Sequence, residues 1–383
     1  MNRATKPHNR QAEPVRAIPA SLWWLTRQLI RRPGLFIRLG DFESSLFEDQ
    51  LAGIAIDRPI FICGLARAGT TITLELLSSL PDLASYRYRD FPGVHLPLAW
   101  NRGLGRRAHG RMPGIERLHG DGIEITADSP EALDEPIWMS FFPRAHDPEH
   151  SHVLDPDRRH PAFERFYRRS LQKIQLLRRG RRMVLKGNYL VSRLAYLVRL
   201  FPDARFILLV RDPVEHVGSL MRQQVNFAKA AEADPRVIDY LRALGHFEFG
   251  LDRRPINLGD GAAVRAVMAA WAAGREVEGW ALYWRQIYEY LADLLEKDDA
   301  VRQATLLVRF EQLHSAPQAS LDRILDHCDL AIDETTRDSL AARLRAPSGH
   351  RAKLGSDAVA QIRTLCDGTA ARFGYCAMSA KNG

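Results

Sequence analysis

An apolar run closes on Gly64, four residues lead to Gly69, and two threonines then open a second apolar stretch: FICGLARAGTT, residues 61–71. No other feature restricts the fold as much. RPIFICG, bounded by Pro59 and Gly64, predicts a buried strand. TTITLELLSSLPD carries Ile72, Leu76 and Leu80 at helical spacing and predicts a helix that ends before Pro81. Strand, glycine loop and helix form the context in which backbone N–H groups and a helix dipole hold a phosphate. An ATP-binding loop of this shape carries a lysine before its last Ser/Thr, and here Thr70 stands in that place. Without that lysine and a magnesium partner, triphosphate chemistry lacks its main charge neutraliser. Arg67 supplies a cation from inside the loop instead. That design suits a nucleotide with a shorter anionic group at its 5′ end.

The rest of the chain repeats the alternation. RRMVLKG and ARFILLVRD predict two more strands, the second apolar throughout as expected when both faces are covered. YLVSRLAYLVRLF predicts a helix, with Leu190, Leu194, Leu197 and Phe201 on one face. PVEHVGSLMRQQ opens another with Pro213 at its first position. Residues 265–297 predict a long helical region broken near Gly274, ATLLVRFEQL a fourth strand, and residues 317–373 two or three helices. This pattern argues for an α/β fold of three layers, a central mainly parallel sheet with helices on both faces, of P-loop type. Residues 1–50 are expected to form a polar leader and an amphipathic helix. Residues 51–383 are expected to form one domain with an inserted substrate region at about 82–160.

With the loop comes a second motif. In FPDARFILLVRDPVEHVGSLMR, Arg211 ends a strand and Ser219 lies eight residues on, in the following helix. A helix starting at Pro213 rises about 9 Å by Ser219, within reach of an arginine around one phosphate. GLARAGTT resembles the 5′-phosphosulfate loop of sulfotransferases that use 3′-phosphoadenosine 5′-phosphosulfate (PAPS), with Ala66 for the usual proline and Ala68 for the usual serine. The Arg211–Ser219 segment is similar to the 3′-phosphate segment of the same family. VLKGN, LLVRFEQLHSAPQASLDRILDHCDL (with Phe310 where the family has tyrosine), SPEALDE and ARFGY extend the resemblance over most of residues 58–375. It is nearest to the bacterial members akin to the tyrosylprotein and carbohydrate branches.

The resemblance implies PAPS as co-substrate, bound through Arg67, Ala68, Gly69, Thr70, Thr71, Arg211 and Ser219. It also implies sulfuryl transfer to a hydroxyl of a sugar, polysaccharide or glycolipid. Transfer of this kind needs positioned cations and a base. Arg67 and Lys186 are the candidate cations; the chain has only seven lysines, and a compact ammonium can approach a bridging oxygen. Relatives carry a glutamate shortly after the first helix. None stands there in this chain, so Asp90, flanked by Arg87 and Arg89, is the candidate base. His119, Asp121, Glu124 and Glu135 are the reserves.

Other readings stay open beside this one. An ATP-dependent phosphotransferase or a non-catalytic nucleotide- or membrane-binding protein could use the same fold. The net charge of +8 fits an anionic ligand or mere solubilisation. SLWWLTRQLIRRPGLFIRLG reads as a helix packed on the domain and stopping near Pro33, with peripheral membrane contact through residues 21–39 as the alternative. His146, His150, His152 and His160 read as a polar loop, since no ligand spacing supports a metal. Trp271, Trp280 and Trp284 read as core at helical spacing, with sugar contact as the alternative. His350, Arg351 and Lys353 read as an exposed loop or as a closure over the 3′-phosphate. Four scattered cysteines and the lack of a signal-like or membrane-spanning run point to a cytoplasmic setting, with contact at the inner face of a membrane left open. No metal and no nucleic-acid partner are expected.

Overall fold

The computed structural model describes residues 18–104, 115–116, 124–344 and 354–375. Most of the leader, His119, Asp121 and the segment with His350, Arg351 and Lys353 lie outside the described residues, and Glu124 is described in its backbone alone.

Five parallel strands form the central sheet: β1 (Ile60–Cys63), β2 (Leu83–Ala84), β3 (Arg182–Gly187), β4 (Arg205–Val210) and β5 (Thr305–Arg309), in spatial order β2-β3-β1-β4-β5. The two-residue period of a strand sorts its side chains into two apolar layers. Phe61, Cys63, Phe206, Leu208 and Val210 enter one core, and Ile60, Ile62, Ile207 and Leu209 enter the other. Every residue of β1 is buried because helices cover both faces. The first layer is shared with α8 (Glu276–Lys297) and α11 (Ser356–Ala371), the second with α3 (Thr70–Leu77) and α9 (Pro317–His327). Trp280 and Trp284 are fully enclosed and Trp271 nearly so, which makes this stripe part of the core.

At the N-terminus, α1 (Ala20–Arg31) stops before Pro33, and Pro33 then serves as the first residue of α2 (Pro33–Leu46), where its missing N–H does no harm. Trp23 Nε1 donates to Asp239 (2.9 Å), on α6 (Arg236–Leu244), and Lys173 Nζ, on α4 (Pro161–Arg178), donates to Gly40 O (2.7 Å). The remaining long helices are α5 (Pro213–Ala233), α7 (Gly261–Ala272) and α10 (Glu334–Arg343), and the break between α7 and α8 falls at Gly274, with φ +71°.

Two local expectations differ from the structure. The helix expected from residue 189 is a 3-10 turn, Tyr189–Ser192, followed by a separate α-helix, Leu194–Leu200. The joint is Arg193, whose guanidinium turns inward to pair with both oxygens of Glu135 (2.8 and 2.7 Å) and to cover Trp138. The irregular region 82–160 supplies β2, an edge strand of the sheet itself, too short to leave a periodic trace.

Candidate active site

Gly64 and Gly69 have φ +140° and +101°, conformations open to glycine and strained for other residues. Space gives a second reason. A Cβ on Gly64 would lie 2.5 Å from the Leu209 carbonyl oxygen, and one on Gly69 would lie 2.7 Å from the Phe310 ring. The loop is therefore pressed against β4 and against the residue after β5. Gly64→Ala is expected to lose at least about 1–3 kcal/mol from strain alone, before the clash with backbone, when measured by denaturant unfolding. Gly34→Ala, with nothing within 4 Å, is the control. Arg67 itself sits at φ +73°, the kind of strained backbone that clusters at ligand sites. Ala68 is fully buried in the second core, so its methyl faces apolar neighbours where the related loops carry a hydroxyl.

Two cations reach the loop from neighbouring strands. Thr70 takes the lysine position and is buried, but Lys186 on β3 extends Nζ to Thr71 Oγ1 (3.1 Å). Lys186 pairs with Ile62 in register, one residue below the end of β1. The cation missing from the loop thus returns from the adjacent strand, paired there with Glu131 (2.8 Å). From β4, Arg211 donates to Arg67 O (3.2 Å), and Arg67 Nε donates to Ser219 Oγ (3.3 Å) on α5. The two motifs, far apart in sequence, meet. Burial pulls the Arg211 pKa down, Glu311 and Glu215 oppose this, and Arg67 and Arg222 reinforce it. Its pairing with Glu215 is long (3.8 Å), and its Nε is buried with no hydrogen-bond partner among the described residues. Its face stacks on Phe310 (4.4 Å), which occupies the family's tyrosine position.

A buried imidazole holds the junction. Trp284 Nε1 donates to His216 Nδ1 (3.2 Å), so the proton sits on Nε2, which donates to Ala66 O (2.8 Å). Burial, with Arg211 adding to it, lowers this histidine to about 3 and keeps it neutral. At the end of β4, Tyr375 donates to Val210 O (3.2 Å) and Glu311 (2.6 Å), Glu311 accepts from Asp212 N (3.0 Å), and Arg363 grips Asp212 (2.9 Å). These contacts bring FEQL and ARFGY to the end of β4, beside Arg211.

Ala66, Arg67, Thr70, Thr71 and Lys186 share a cleft with Asn188, His246, Glu248 and Phe249. Sequence reasoning missed the last four. His246 Nδ1 lies 3.3 Å from Glu248 Oε2, and Asn188 Nδ2 donates to Glu248 Oε1 (2.8 Å). Burial would lower the His246 pKa, but the charge and hydrogen bond of Glu248 outweigh it and raise the value above the ordinary one. The available signal was the His-x-Glu pair in GHFEFG, which places two polar side chains on one side of an extended segment.

Asp90 faces inward, with none of its surface exposed. It accepts from Arg178 Nη2 (2.5 and 2.6 Å), Asn101 Nδ2 (2.9 Å) and Arg87 N (2.7 Å). The expectation that Arg87 and Arg89 attend Asp90 is corrected: both guanidiniums pair with Asp128. Glu135 is held by Arg193 and His146, away from the cleft lining. His150 pairs with Asp147, His152 bonds Asp147 O, and His160 caps α4. Among the described residues no three such groups converge on a metal position.

The sequence profile of the Sulfotransferase family matches residues 59–253, just over half of the chain. The chain belongs to the sulfotransferase family. The solved structure of sulfotransferase STF1 from Mycobacterium tuberculosis H37Rv is similar to it with a TM-score of 0.50 and 16% identity, over 90% of this chain and 92% of that one. That of sulfotransferase STF9 from Mycobacterium avium follows with a TM-score of 0.46 and 17% identity, over 85% and 80%. At such identity the STF1 likeness speaks for the fold alone. No curated protein matches in sequence.

This sulfotransferase has a second, polar cavity of about 310 Å³. Glu75, one turn beyond Thr71 on α3, lines it with Ser78, Ser79 and Ser85, and Ser129 and Pro130, next to Glu131, close it from the other side. Arg343 reaches across to Ser79 Oγ (3.3 Å). Both walls therefore continue segments that end at Lys186. No helix among the described residues is long and apolar enough to cross a membrane.

Proposed function

We propose that this sulfotransferase takes PAPS as donor and transfers its sulfuryl group to a hydroxyl of a carbohydrate-containing acceptor. The carrying observation is the contact between the two motifs: Arg211 on the Arg67 carbonyl and Arg67 on Ser219. A nucleotide with anionic groups at both ends of its ribose needs cations grouped in this way, and sulfotransferases in general use PAPS. The buried, unpartnered Arg211 Nε supports the fit, since such a donor is costly unless a ligand accepts from it.

In this reading Gly69, Thr70, Thr71 and Arg67 hold the 5′ end with backbone N–H groups and the start of α3, and Arg211 and Ser219 hold the 3′-phosphate. Bound PAPS supplies an activated sulfuryl group. The acceptor oxygen forms the new S–O bond while the bond from sulfur to the nucleotide phosphate breaks. Lys186 meets the charge that grows on the departing phosphate oxygen. We assign the base to His246, which takes the acceptor's proton and shares its charge with Glu248. Its place on the cleft with Lys186 supports this, whereas the Arg178 pairing of Asp90 supports an anchoring role for that residue. The products are a sulfate ester and adenosine 3′,5′-bisphosphate. The serine- and arginine-lined cavity beside Glu131 supports a hydroxyl-rich acceptor. The outward apolar side chains of α1 and α2 are in keeping with an acceptor anchored in a bilayer.

The test is sulfate transfer from labelled PAPS to a panel of neutral, acidic and lipid-linked glycans, alongside melting with adenosine 3′,5′-bisphosphate, ATP and ADP. Protection by the bisphosphate and transfer to a glycan are expected; protection by ATP alone would sink the proposal. His246 must be neutral to accept a proton, so kcat/KM should fall as pH drops through its raised pKa, with the acid limb above the ordinary histidine range. Glu248→Gln removes the main charge raising it and should move that limb to lower pH. His246→Ala should lose about 10²–10⁴ in kcat.

A further inference from the structure

Nine large hydrophobic side chains are exposed among the described residues, and six of them, Trp24, Ile30, Leu35, Leu39, Phe42 and Leu46, lie on α1 and α2. Such clustering is not the scatter expected of a surface. On α2 the spacing of Leu35, Leu39, Phe42 and Leu46 is four, three, four, which aligns them in one stripe along the helix. The opposite face of α2 is anchored: Phe36, Gly40 and Glu43 are buried, and Glu43 is paired with Lys173 (3.1 Å). The two tryptophans of α1 divide in the same way. Trp23 turns in to Asp239, while Trp24 is 60% exposed.

Charge indicates what this face meets. Arg31 and Arg32 stand at the α1–α2 joint and Arg38 beside the stripe; all three are exposed, and none is held in an ion pair among the described residues. Arg102 adds a fourth guanidinium, stacked on Phe47 (4.7 Å). The acidic neighbours in sequence are Asp41, half-buried, exposed Asp49, and Glu48, which is paired with Arg169. A stripe along a 14-residue helix falls short of the three or four heptads that sustain a coiled-coil pair. Apolar and aromatic side chains beside free arginines, on a helix too polar to insert, describe an element lying in a lipid headgroup layer.

We propose that α1 and α2 dock the protein on an anionic membrane surface, the stripe entering the headgroup boundary and the arginines facing lipid phosphates. This goes beyond the transfer reaction and does not rest on it.

Co-sedimentation of the full chain with phosphatidylcholine vesicles, with and without phosphatidylglycerol, tests the proposal. Binding to the anionic vesicles, weakened by salt, is expected. Leu39→Ser/Phe42→Ser should abolish it, and each of Arg31→Gln and Arg32→Gln should weaken it roughly fivefold. The substituted side chains are exposed, and each variant should unfold cooperatively at the wild-type melting temperature, followed by circular dichroism, which checks folding. Trp24→Ser provides the same test if the double variant misfolds. Failure to bind anionic vesicles would overturn the proposal. So would a dimer, seen by light scattering, that Leu39→Ser/Phe42→Ser converts to monomer, because the face would then be covered by a second copy.

Discussion

Lys186→Ala is expected to lower turnover about a hundred- to a thousandfold while leaving adenosine 3′,5′-bisphosphate binding nearly intact. The reason lies in where the ammonium stands. It comes from the strand beside the loop, reaches Thr71, and lines the cleft together with Arg67. A charge that acts where the transition state gains charge affects kcat more than affinity. The substitution also has a structural cost. Lys186 and Glu131 form a buried pair, both nearly inaccessible, so removing the lysine takes the opposite charge from a buried carboxylate that keeps its hydrogen bonds from Tyr88 and Ala132 N, and should cost up to about 3–5 kcal/mol of stability. The two effects separate in Lys186→Ala/Glu131→Gln, which should recover most of the stability and none of the turnover. Lys186→Arg should also stay slow, since a planar guanidinium does not replace a compact ammonium. Single-turnover transfer and denaturant unfolding on the same variants provide both readouts. Full turnover in the double variant would remove Lys186 from the chemistry.

Arg211→Ala should weaken adenosine 3′,5′-bisphosphate by roughly ten- to a hundredfold, the worth of a charge-assisted contact of about 1.5–3 kcal/mol, and leave adenosine 5′-monophosphate almost unaffected. The side chain is fixed in advance: it stacks on Phe310, bonds the Arg67 carbonyl, and follows a strand whose end is tied down by Tyr375 and Glu311. Little ordering remains for the ligand to impose. Arg222→Ala removes a nearby but exposed charge and should have a smaller effect. Calorimetric titration of the two nucleotides measures the ratio directly. A variant that keeps the wild-type preference for the doubly phosphorylated nucleotide would move the 3′-phosphate site elsewhere.

The features readable in the sequence were those with a local cause. Gly64 and Gly69 announce a loop because few other residues tolerate their backbone angles. The apolar runs of β1, β3 and β4 announce strands covered on both faces. Arg211 and Ser219 could be placed on one strand–helix corner in advance because a strand end and the helix after it set their separation; in the structure each bonds Arg67. The short strand β2 and the break at Arg193 escaped, the first for lack of length and the second because a distant partner, Glu135, decided it. Carboxylates were the hardest to place. Asp90 was the candidate base, flanked by two arginines, yet it turns inward to Arg178, 88 positions away, while the guanidiniums of those arginines go to Asp128.

Sequence alone determined that a strand, a glycine loop and a helix would follow one another with no lysine in the loop. Sequence also offered Lys186 as a cation; tertiary structure decided that it reaches the loop with Glu131 as its partner, and that His246 and Glu248, from a segment nearly 180 positions beyond the loop, share its cleft. Backbone conformation follows from a residue and its near neighbours. The partner of a charged side chain depends on which chain segments the packed core brings within a few ångströms, and no short stretch of sequence carries that information.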